Sequence, residues 1–453
     1  MSSNTRRRFL KLGAQTMAGA GLALGNYPAL TLARAADISS GGAHDYKALV
    51  CIYLEGGCDG FSLMVPADSY EHEVFASARG ALAVPHHKLI GLQGGASPVG
   101  LHPDAAALQP LYDEGKLAMI ANVGTLIEPT TPEQYNNNAV SLPAQLFSHS
   151  DQAMQWQQLQ GRDRGKEGWG ARATDMLADS QGRHYLTSIS LAGSNHWQSG
   201  SGQRPFALTE AGVLNYQGMD DLSDWQQPRR DAFERLLNAP RQHVFSKAYA
   251  DLQKHAIAVT TELGQVLESN AGLFADQPEG NSLAGSLNMV AQLIAAQEQL
   301  GLRRQIYYVS MGGFDVHDNQ SKEQPELFKE LSTALAFFQQ KMDQMGKSDS
   351  VTAFTASDFG RSLTPNGDGT DHGWGNHLMA FGGAVNGGSI YGTLPTLEVG
   401  GPDSVHRGRI LPTTSATQYA ASLLRWLGLS EFELDFVLPS LTNFDNRDLG
   451  LFS

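Results

Sequence analysis

Aspartate and histidine residues are concentrated in three motifs, each of which directly follows a predicted β-strand. The candidates are Asp59 in the first motif, Asp315 and His317 in the second, and Asp358, His372 and His377 in the third. Ligands of α/β proteins bind beyond the carboxyl ends of the parallel strands. We therefore expect these carboxylate and imidazole groups to lie together at one edge of a sheet.

Such a group of side chains is typical of a metal centre. Carboxylates held close together repel one another and raise their pKa values unless a cation keeps them ionised. Mixed Asp and His ligation suits zinc, manganese or iron, and a site richer in oxygen suits calcium or another hard ion. Two such ions can clamp the attacking and leaving oxygens of a phosphoryl or sulfuryl transfer. The pattern predicts a divalent metal cofactor: zinc, manganese, calcium or iron.

Each of these residues also has a purely structural explanation. Asp59 lies among glycines, where aspartate is a common turn former, and Asp315 or Asp358 could cap the helix that follows it. His372 could be a hydrogen-bonded loop histidine, and His377 could stack on an aromatic ring. The metal hypothesis depends on the joint pattern.

Apolar runs and helical periodicity alternate along the chain. Strands are predicted at 47–54, 116–123, 184–192, 305–310, 351–356 and 377–382, and helices at 105–114, 229–270 with a break near 239–240, 282–300, 323–345 and 417–427. This alternation predicts an α/β fold, with a mostly parallel sheet covered by helices on both faces. No interdomain linker is evident. We expect one domain over 36–453, with the polar stretch 193–225 as an insertion or cap.

The N-terminal segment T-R-R-R-F-L-K has the pattern of a twin-arginine export signal. A short apolar stretch over 12–24 and the small-residue site Ala33-Arg34-Ala35 follow it. Residues 1–35 are therefore predicted to be a signal peptide. The twin-arginine translocase and signal peptidase would be its partners during export, and the mature chain would be periplasmic or secreted.

Charge and composition exclude several classes of partner. The formal net charge of -14 becomes about -19 when the five cationic residues of the signal are removed. Such an acidic chain would be repelled by nucleic acid, and no apolar run after the signal is long enough for a stable membrane span. Cys51 and Cys58 are the only cysteines. If extended, the chain between them spans roughly 23 Å, which disfavours a disulfide.

Five segments resemble a twin-arginine-exported family of unknown function, domain-of-unknown-function family 1501, which groups with the alkaline phosphatase and sulfatase superfamily. They are L-E-G-G-C-D-G-F-S at 54–62, F-S-H-S-D-Q at 147–152, G-G-F-D-V-H-D-N-Q at 312–320, T-A-S-D-F-G-R-S at 355–362 and G-T-D-H-G-W-G-N-H at 369–377. The resemblance implies an alkaline phosphatase-like α/β/α sandwich and metal ligands at Asp59, at Asp315 and His317, at Asp358, and at His372 or His377. Phe359 departs from the superfamily, where many members have a metal-binding His.

The resemblance also implies a nucleophile at the start of a helix. Ser148 and Ser150 are the candidates, although S-x-S-D-Q ahead of a helix is equally a good N-cap. Arg361 could bind a substrate oxyanion, because a guanidinium matches that shape, or it could pair with one of the nearby acids.

Two functions remain open at this point. One is an exported metal-dependent hydrolase of a phosphate or sulfate ester, acting on a small molecule or a polymer. The other is a non-catalytic periplasmic binding or assembly protein with the same fold. The sequence contains no G-x-S-x-G, H-E-x-x-H, Walker A or dinucleotide motif, which disfavours serine esterases, zincins, nucleotide triphosphatases and nicotinamide enzymes.

Replacing Arg6 and Arg7 with Lys should leave unprocessed precursor in the cytoplasm, because the twin-arginine receptor recognises the paired guanidinium groups. Fractionation and immunoblotting of the wild type and the variant measure this. Export and cleavage of the variant near Ala35 would contradict the predicted signal.

Overall fold

The computed structural model describes residues 46–93, 98–162, 165–177, 184–201, 204–213, 223–270 and 275–453. The predicted signal peptide lies outside these ranges, as does part of the predicted insertion at 193–225. In the described ranges, no helix combines the length and the apolar character that crossing a bilayer requires.

The strands, in chain order, are β1 (Lys47–Leu54), β2 (Met64–Pro66), β3 (Ile90–Gly91), β4 (Val99–Leu101), β5 (Leu117–Gly124), β6 (Ser188–Ser190), β7 (Phe206–Ala207), β8 (Arg304–Met311), β9 (Val351–Ser357), β10 (Arg361–Pro365), β11 (Thr370–His372), β12 (Asn376–Phe381), β13 (Ser389–Tyr391), β14 (Ser404–Val405), β15 (Arg409–Ile410) and β16 (Thr414–Ser415). The helices are α1 (Gly60–Leu63), α2 (Ser69–Arg79), α3 (Leu108–Asp113), α4 (Pro132–Asn136), α5 (His149–Gln158), α6 (Trp169–Leu177), α7 (Gln227–Asn238), α8 (Val244–Asn270), α9 (Ser282–Ala295), α10 (Gln297–Leu300), α11 (Gln320–Gln344), α12 (Ala416–Leu427) and α13 (Glu431–Val437).

The central sheet has the strand order β13-β5-β12-β9-β1-β8-β6-β7, with β16 also paired to β5. β1 lies between β8 and β9 and is parallel to both, whereas β12 is antiparallel to β9 and to β5. The sheet is therefore mostly parallel, as predicted. Leu54 pairs with Met311 and with Ser357, so β1, β8 and β9 end at the same edge.

Helices cover both faces of this sheet. Successive side chains of a strand point to opposite faces, and the buried strand β1 shows this directly. Val50 and Ile52 belong to the core that includes α9 and α11. Leu49 and Cys51 belong to the core on the other face, which includes α6 and α12. The predicted α/β fold with two helical layers is confirmed.

Local sequence signals explain where several helices start and stop. Ser415 and Gln418 form a capping box at the start of α12, and Gly428 ends that helix with a φ of 112°. The helical region predicted over 229–270 is interrupted as expected, because Ala239-Pro240 separates α7 from α8. Cys51 and Cys58 are both buried free thiols.

Candidate metal centre

The loops after β1 and β8 pack against each other at the edge where the parallel strands end. Gly56, in the loop after β1, has a φ of 106°, and a Cβ atom there would lie 2.5 Å from the backbone nitrogen of Asp315. Only glycine permits this approach, because any side chain would collide with backbone atoms that cannot move aside. The first and second sequence motifs are thereby brought together.

Four side chains form a group that we call the His/Asp cluster: His149, Asp315, His317 and His372. Donor atoms of His149, Asp315 and His372 lie within 4.8 Å of one another. His149 Nε2 is 3.3 Å from Asp315 Oδ2, and His372 Nε2 is 3.4 Å from Asp315 Oδ1. His317 Nε2 lies 3.0 Å from Asp315 Oδ1 and 2.9 Å from His372 Nε2. The cluster is accessible to solvent, because each of these side chains is only partly buried.

His149 is the first residue of α5, and its ring is oriented by Asp358. Its Nδ1 donates a hydrogen bond to Asp358 Oδ2 at 2.8 Å. The other ring nitrogen, Nε2, is buried and has no hydrogen-bond partner. The hydrogen bond to Asp358 outweighs the effect of burial and raises the pKa of His149. The structure therefore points an unsatisfied imidazole nitrogen toward Asp315.

Asp358 lies directly after β9 and one hydrogen bond behind the cluster. The hydroxyl of Tyr53 donates to Oδ1 at 2.7 Å, and the backbone nitrogen of Gly56 donates to Oδ2 at 3.3 Å. A carboxylate that holds the second nitrogen of a metal-binding imidazole is a common arrangement, and it fixes the tautomer and the ring orientation. The position of Asp358 fits this orienting role better than the direct ligation implied by the family resemblance.

His372 is oriented by a backbone carbonyl. Its Nδ1 donates to the carbonyl oxygen of Phe147 at 2.7 Å, so its Nε2 faces the cluster as an acceptor. Phe147 has a φ of 73°, which is uncommon for a non-glycine residue. Strained backbone conformations of this kind occur most often at functional sites. Burial lowers the pKa of His372, which favours the neutral ring.

Arg361 holds Asp315 in place and is not available to a substrate. Its side chain is 0% exposed. Its guanidinium donates to Asp315 Oδ1 at 2.9 Å, to the carbonyl oxygen of Thr370 at 2.6 Å and to the Thr370 hydroxyl at 3.2 Å. Burial alone would raise the pKa of Asp315, but the hydrogen bond and the charge of Arg361 lower it. Arg361 was predicted either to bind a substrate oxyanion or to pair with a nearby acid, and the structure shows it paired with Asp315.

Asp59 lies outside the cluster, in a buried ion pair with Arg79. Its carboxylate also accepts hydrogen bonds from the Ser62 hydroxyl and from Gln320 Nε2, both at 2.8 Å. These partners satisfy the charge of Asp59 without a metal ion. Asp59 follows β1 as predicted, but the structure does not place it among the side chains of the His/Asp cluster.

His377 also lies outside the cluster. It is a buried residue of β12 that accepts a hydrogen bond at Nδ1 from the backbone nitrogen of Asn122 at 3.1 Å. Its ring meets Phe61 edge to face, with centroids 4.8 Å apart. Burial lowers the pKa of His377 to about 3, so the ring is neutral. This arrangement matches the aromatic-stacking alternative for His377.

Ser148 and Ser150 flank His149 at the start of α5. Ser148 occupies the N-cap position but makes no capping hydrogen bond. Its hydroxyl donates to Asp151 Oδ2 at 2.8 Å and lies 3.4 Å from the Ser150 hydroxyl. Both hydroxyl groups are therefore one residue away from the cluster along the chain, and neither is directed into it by these hydrogen bonds.

His149 is the functional candidate that the sequence patterns missed. It lies in the F-S-H-S-D-Q segment, but it begins a helix, whereas every predicted ligand followed a strand. Phe359 packs its ring against His149 and His372, with centroids 4.8 and 4.6 Å apart. The sequence signal that could have identified His149 is its position between Ser148 and Ser150 at the start of a helix.

A comparison with known protein families matches the part of the chain that contains these motifs. A family model described as "Protein of unknown function (DUF1501)" matches residues 46–417. The chain belongs to this family. The match covers every residue of the His/Asp cluster, together with Asp358 and Arg361. No curated protein matches the chain significantly.

Solved structures show only distant similarity. The sulfatase PsFucS1 from Pseudoalteromonas sp. has a TM-score of 0.36 and 10% identity, over 95% of this chain and 76% of that chain. The structure described as Ps i-CgsB has a TM-score of 0.37 and 10% identity, over 89% and 78% of the two chains. Wild-type alkaline phosphatase PafA has a TM-score of 0.28 and 11% identity, over 71% and 64%. Similarity of this size carries no information about activity.

Arg79→Ala should lower the free energy of unfolding by about 3–5 kcal/mol, because it leaves the buried carboxylate of Asp59 unpaired. Urea denaturation measures this loss. Glu298→Ala is the control: it removes the exposed carboxylate of an ion pair with Lys347 and should cost at most about 1 kcal/mol. Equal costs for the two variants would contradict the structural role of Asp59.

Proposed function

We propose that this protein is an exported, metal-dependent hydrolase of a phosphate or sulfate ester, and that the His/Asp cluster is its active site. The observation that carries the proposal is the buried Nε2 of His149, which has no hydrogen-bond partner and faces the carboxylate of Asp315. An unsatisfied buried polar atom costs free energy, and a divalent cation would satisfy it.

The donor set fits a metal ion. His149, Asp315 and His372 would hold it, with His317 as a further ligand beside Asp315 and His372. A set dominated by imidazole nitrogen favours zinc, manganese or iron over calcium, which prefers oxygen ligands. Such an ion would supply Lewis-acid polarisation of an ester oxygen.

The surrounding residues prepare the cluster for this ion. Asp358 holds the proton of His149 at Nδ1, and Phe147 does the same for His372, so that both Nε2 atoms are available as ligands. Arg361 keeps Asp315 ionised by a direct hydrogen bond and by its charge. These interactions set the tautomers and the charge before any ligand arrives.

Arg409 and Arg407 are better candidates than Arg361 for attracting an anionic ester. Arg409 donates from Nε to the carbonyl oxygen of His372 at 2.8 Å, and its guanidinium stacks on Phe147 at 3.8 Å. Arg407 is 73% exposed and pairs with Asp371 at 3.3 Å. An acidic protein needs such local cations to concentrate an anion, and these two lie on the His372 side of the cluster.

The second candidate function is a non-catalytic binding or assembly protein. Two observations favour it: Arg361 is buried, and the Ser148 hydroxyl is directed to Asp151 rather than to the cluster. Under this alternative, the cluster would hold a structural metal. Ser148 remains the proposed nucleophile of the hydrolase, because the N-terminus of α5 favours its ionised form.

The test combines metal analysis with turnover. Protein loaded with zinc, manganese, iron or calcium is assayed with an aryl phosphate, a phosphodiester and an aryl sulfate. Asp315→Asn should lose both the metal and the activity. Asp358→Asn should weaken metal binding about 10–100-fold, because it disturbs the orientation of His149 without removing a ligand.

Ser148→Ala separates chemistry from metal binding. It should retain the metal and lower kcat by about a hundredfold or more, whereas Ser141→Ala, which removes an exposed hydroxyl ahead of α5, is the control and should keep kcat close to that of the wild type. Full activity of Ser148→Ala would exclude it as the nucleophile. Metal binding without cleavage of any ester would favour the non-catalytic alternative.

A further inference from the structure

A cavity of about 310 Å³ opens beside the cluster on the His149 side. Its wall includes His149 and Asp358, Glu55 directly after β1, Tyr308 within β8, and the loop at His196. Its size is at the lower end of the range for small-molecule sites. Because His149 lines both the cavity and the cluster, a group bound in the cavity would be next to the proposed metal centre.

The permanently charged groups of the cavity wall are acidic, and the histidines His149 and His196 also line it. Among the described residues that line it, two are carboxylates, Glu55 and Asp358, and none is a lysine or an arginine. Asp358 is already satisfied by His149, Tyr53 and Gly56. Glu55 therefore supplies the negative charge that is available to a ligand.

Glu55 is fixed at the end of β1 by its backbone. Its backbone nitrogen donates to the carbonyl oxygen of Met311 at 2.9 Å, and its own carbonyl oxygen accepts from Phe314 at 3.2 Å. Its side chain is exposed and lies beside Gly312, where a Cβ atom would be 3.9 Å from Glu55 Oε2. Within the ranges that the structure describes, no side chain forms an ion pair with its carboxylate.

The two sides of the cluster thus differ in charge, although the Asp371 carboxylate pairs with Arg407 on the His372 side. Arg407 and Arg409 lie on the His372 side, whereas Glu55 lies in the cavity on the His149 side. An ester whose acid group is drawn to the metal and the arginines would place its alcohol in the cavity. A second anion there would be repelled by Glu55, and a protonated amine would be attracted.

We propose that the cavity binds the alcohol part of the ester, that this alcohol carries a protonated amine, and that Glu55 is the residue that selects it. This inference rests on the proposed hydrolase function and adds the substrate class. Glu55 acts on the choice of substrate and takes no part in bond cleavage.

Three esters of matched size test the selection: aminopropyl, butyl and carboxyethyl phosphate, with the corresponding sulfates assayed in parallel. For the metal-loaded wild type, kcat/KM should be highest for the aminopropyl ester, about fivefold above the butyl ester, as expected for one partly exposed ion pair. The carboxyethyl ester should be the poorest substrate. Equal values, or a preference for the carboxyethyl ester, would overturn the proposal.

Glu55→Gln keeps the shape of the side chain and removes its charge. It should bring the ratio between the aminopropyl and butyl esters close to one, mainly through KM. Glu326→Gln, which removes an exposed carboxylate on α11, is the control and should preserve the wild-type ratio. A wild-type ratio in Glu55→Gln would assign the selection to another residue.

A binding measurement separates failure of this inference from failure of the hydrolase proposal. If no ester is cleaved, saturation-transfer NMR with aminopropanol and butanol still reports on the cavity. Binding of aminopropanol to the wild type that is lost in Glu55→Gln would support the cavity assignment and leave the hydrolase proposal refuted. The same signal for both alcohols, or none for either, would overturn the cavity assignment.

Discussion

The hydrogen bond between His149 Nδ1 and Asp358 Oδ2, 2.8 Å long, is the interaction on which the candidate site depends. It joins the start of α5 to the end of β9 and leaves Nε2 of His149 as the free ring nitrogen. This hydrogen bond determines which of the two ring nitrogens faces Asp315. Tyr53 and Gly56 hold Asp358 in turn, so the central strand β1 contributes to the orientation of a helix residue. In metalloproteins, a carboxylate commonly orients a metal-binding imidazole by this kind of hydrogen bond.

A buried polar chain supports the other half of the cluster. Asp59 accepts from Gln320, whose side-chain oxygen accepts from Thr370 at 2.8 Å, and the Thr370 hydroxyl accepts from Arg361. Arg361 then holds Asp315. Each member is satisfied by its neighbours, which is the condition under which buried polar groups stabilise one defined structure. Asp59 therefore contributes to the cluster at a distance, through the residues that position Asp315.

Much of the fold was predictable because it depends on local patterns. Apolar runs identified the strands β1, β5, β8 and β9, and their parallel order placed Asp315 and Asp358 at one edge. The division between residues of the His/Asp cluster and supporting residues was not predictable, because it depends on which partner each acid meets in the folded chain. Asp59 meets Arg79, which lies on α2. His377 lies on the antiparallel strand β12 and is buried against Phe61. His149 follows no strand, so a rule based on strand ends could not find it.

X-ray absorption spectroscopy of the zinc-loaded protein tests whether the His/Asp cluster is the metal centre. We expect the zinc ion to be bound by at least two imidazole nitrogens and by carboxylate oxygen, at about 2.0–2.2 Å. We also expect loss of one imidazole in His149→Ala and unchanged coordination in Ser150→Ala. A spectrum that shows oxygen ligands only, or one that His149→Ala leaves unchanged, would contradict the assignment of the His/Asp cluster as the metal centre.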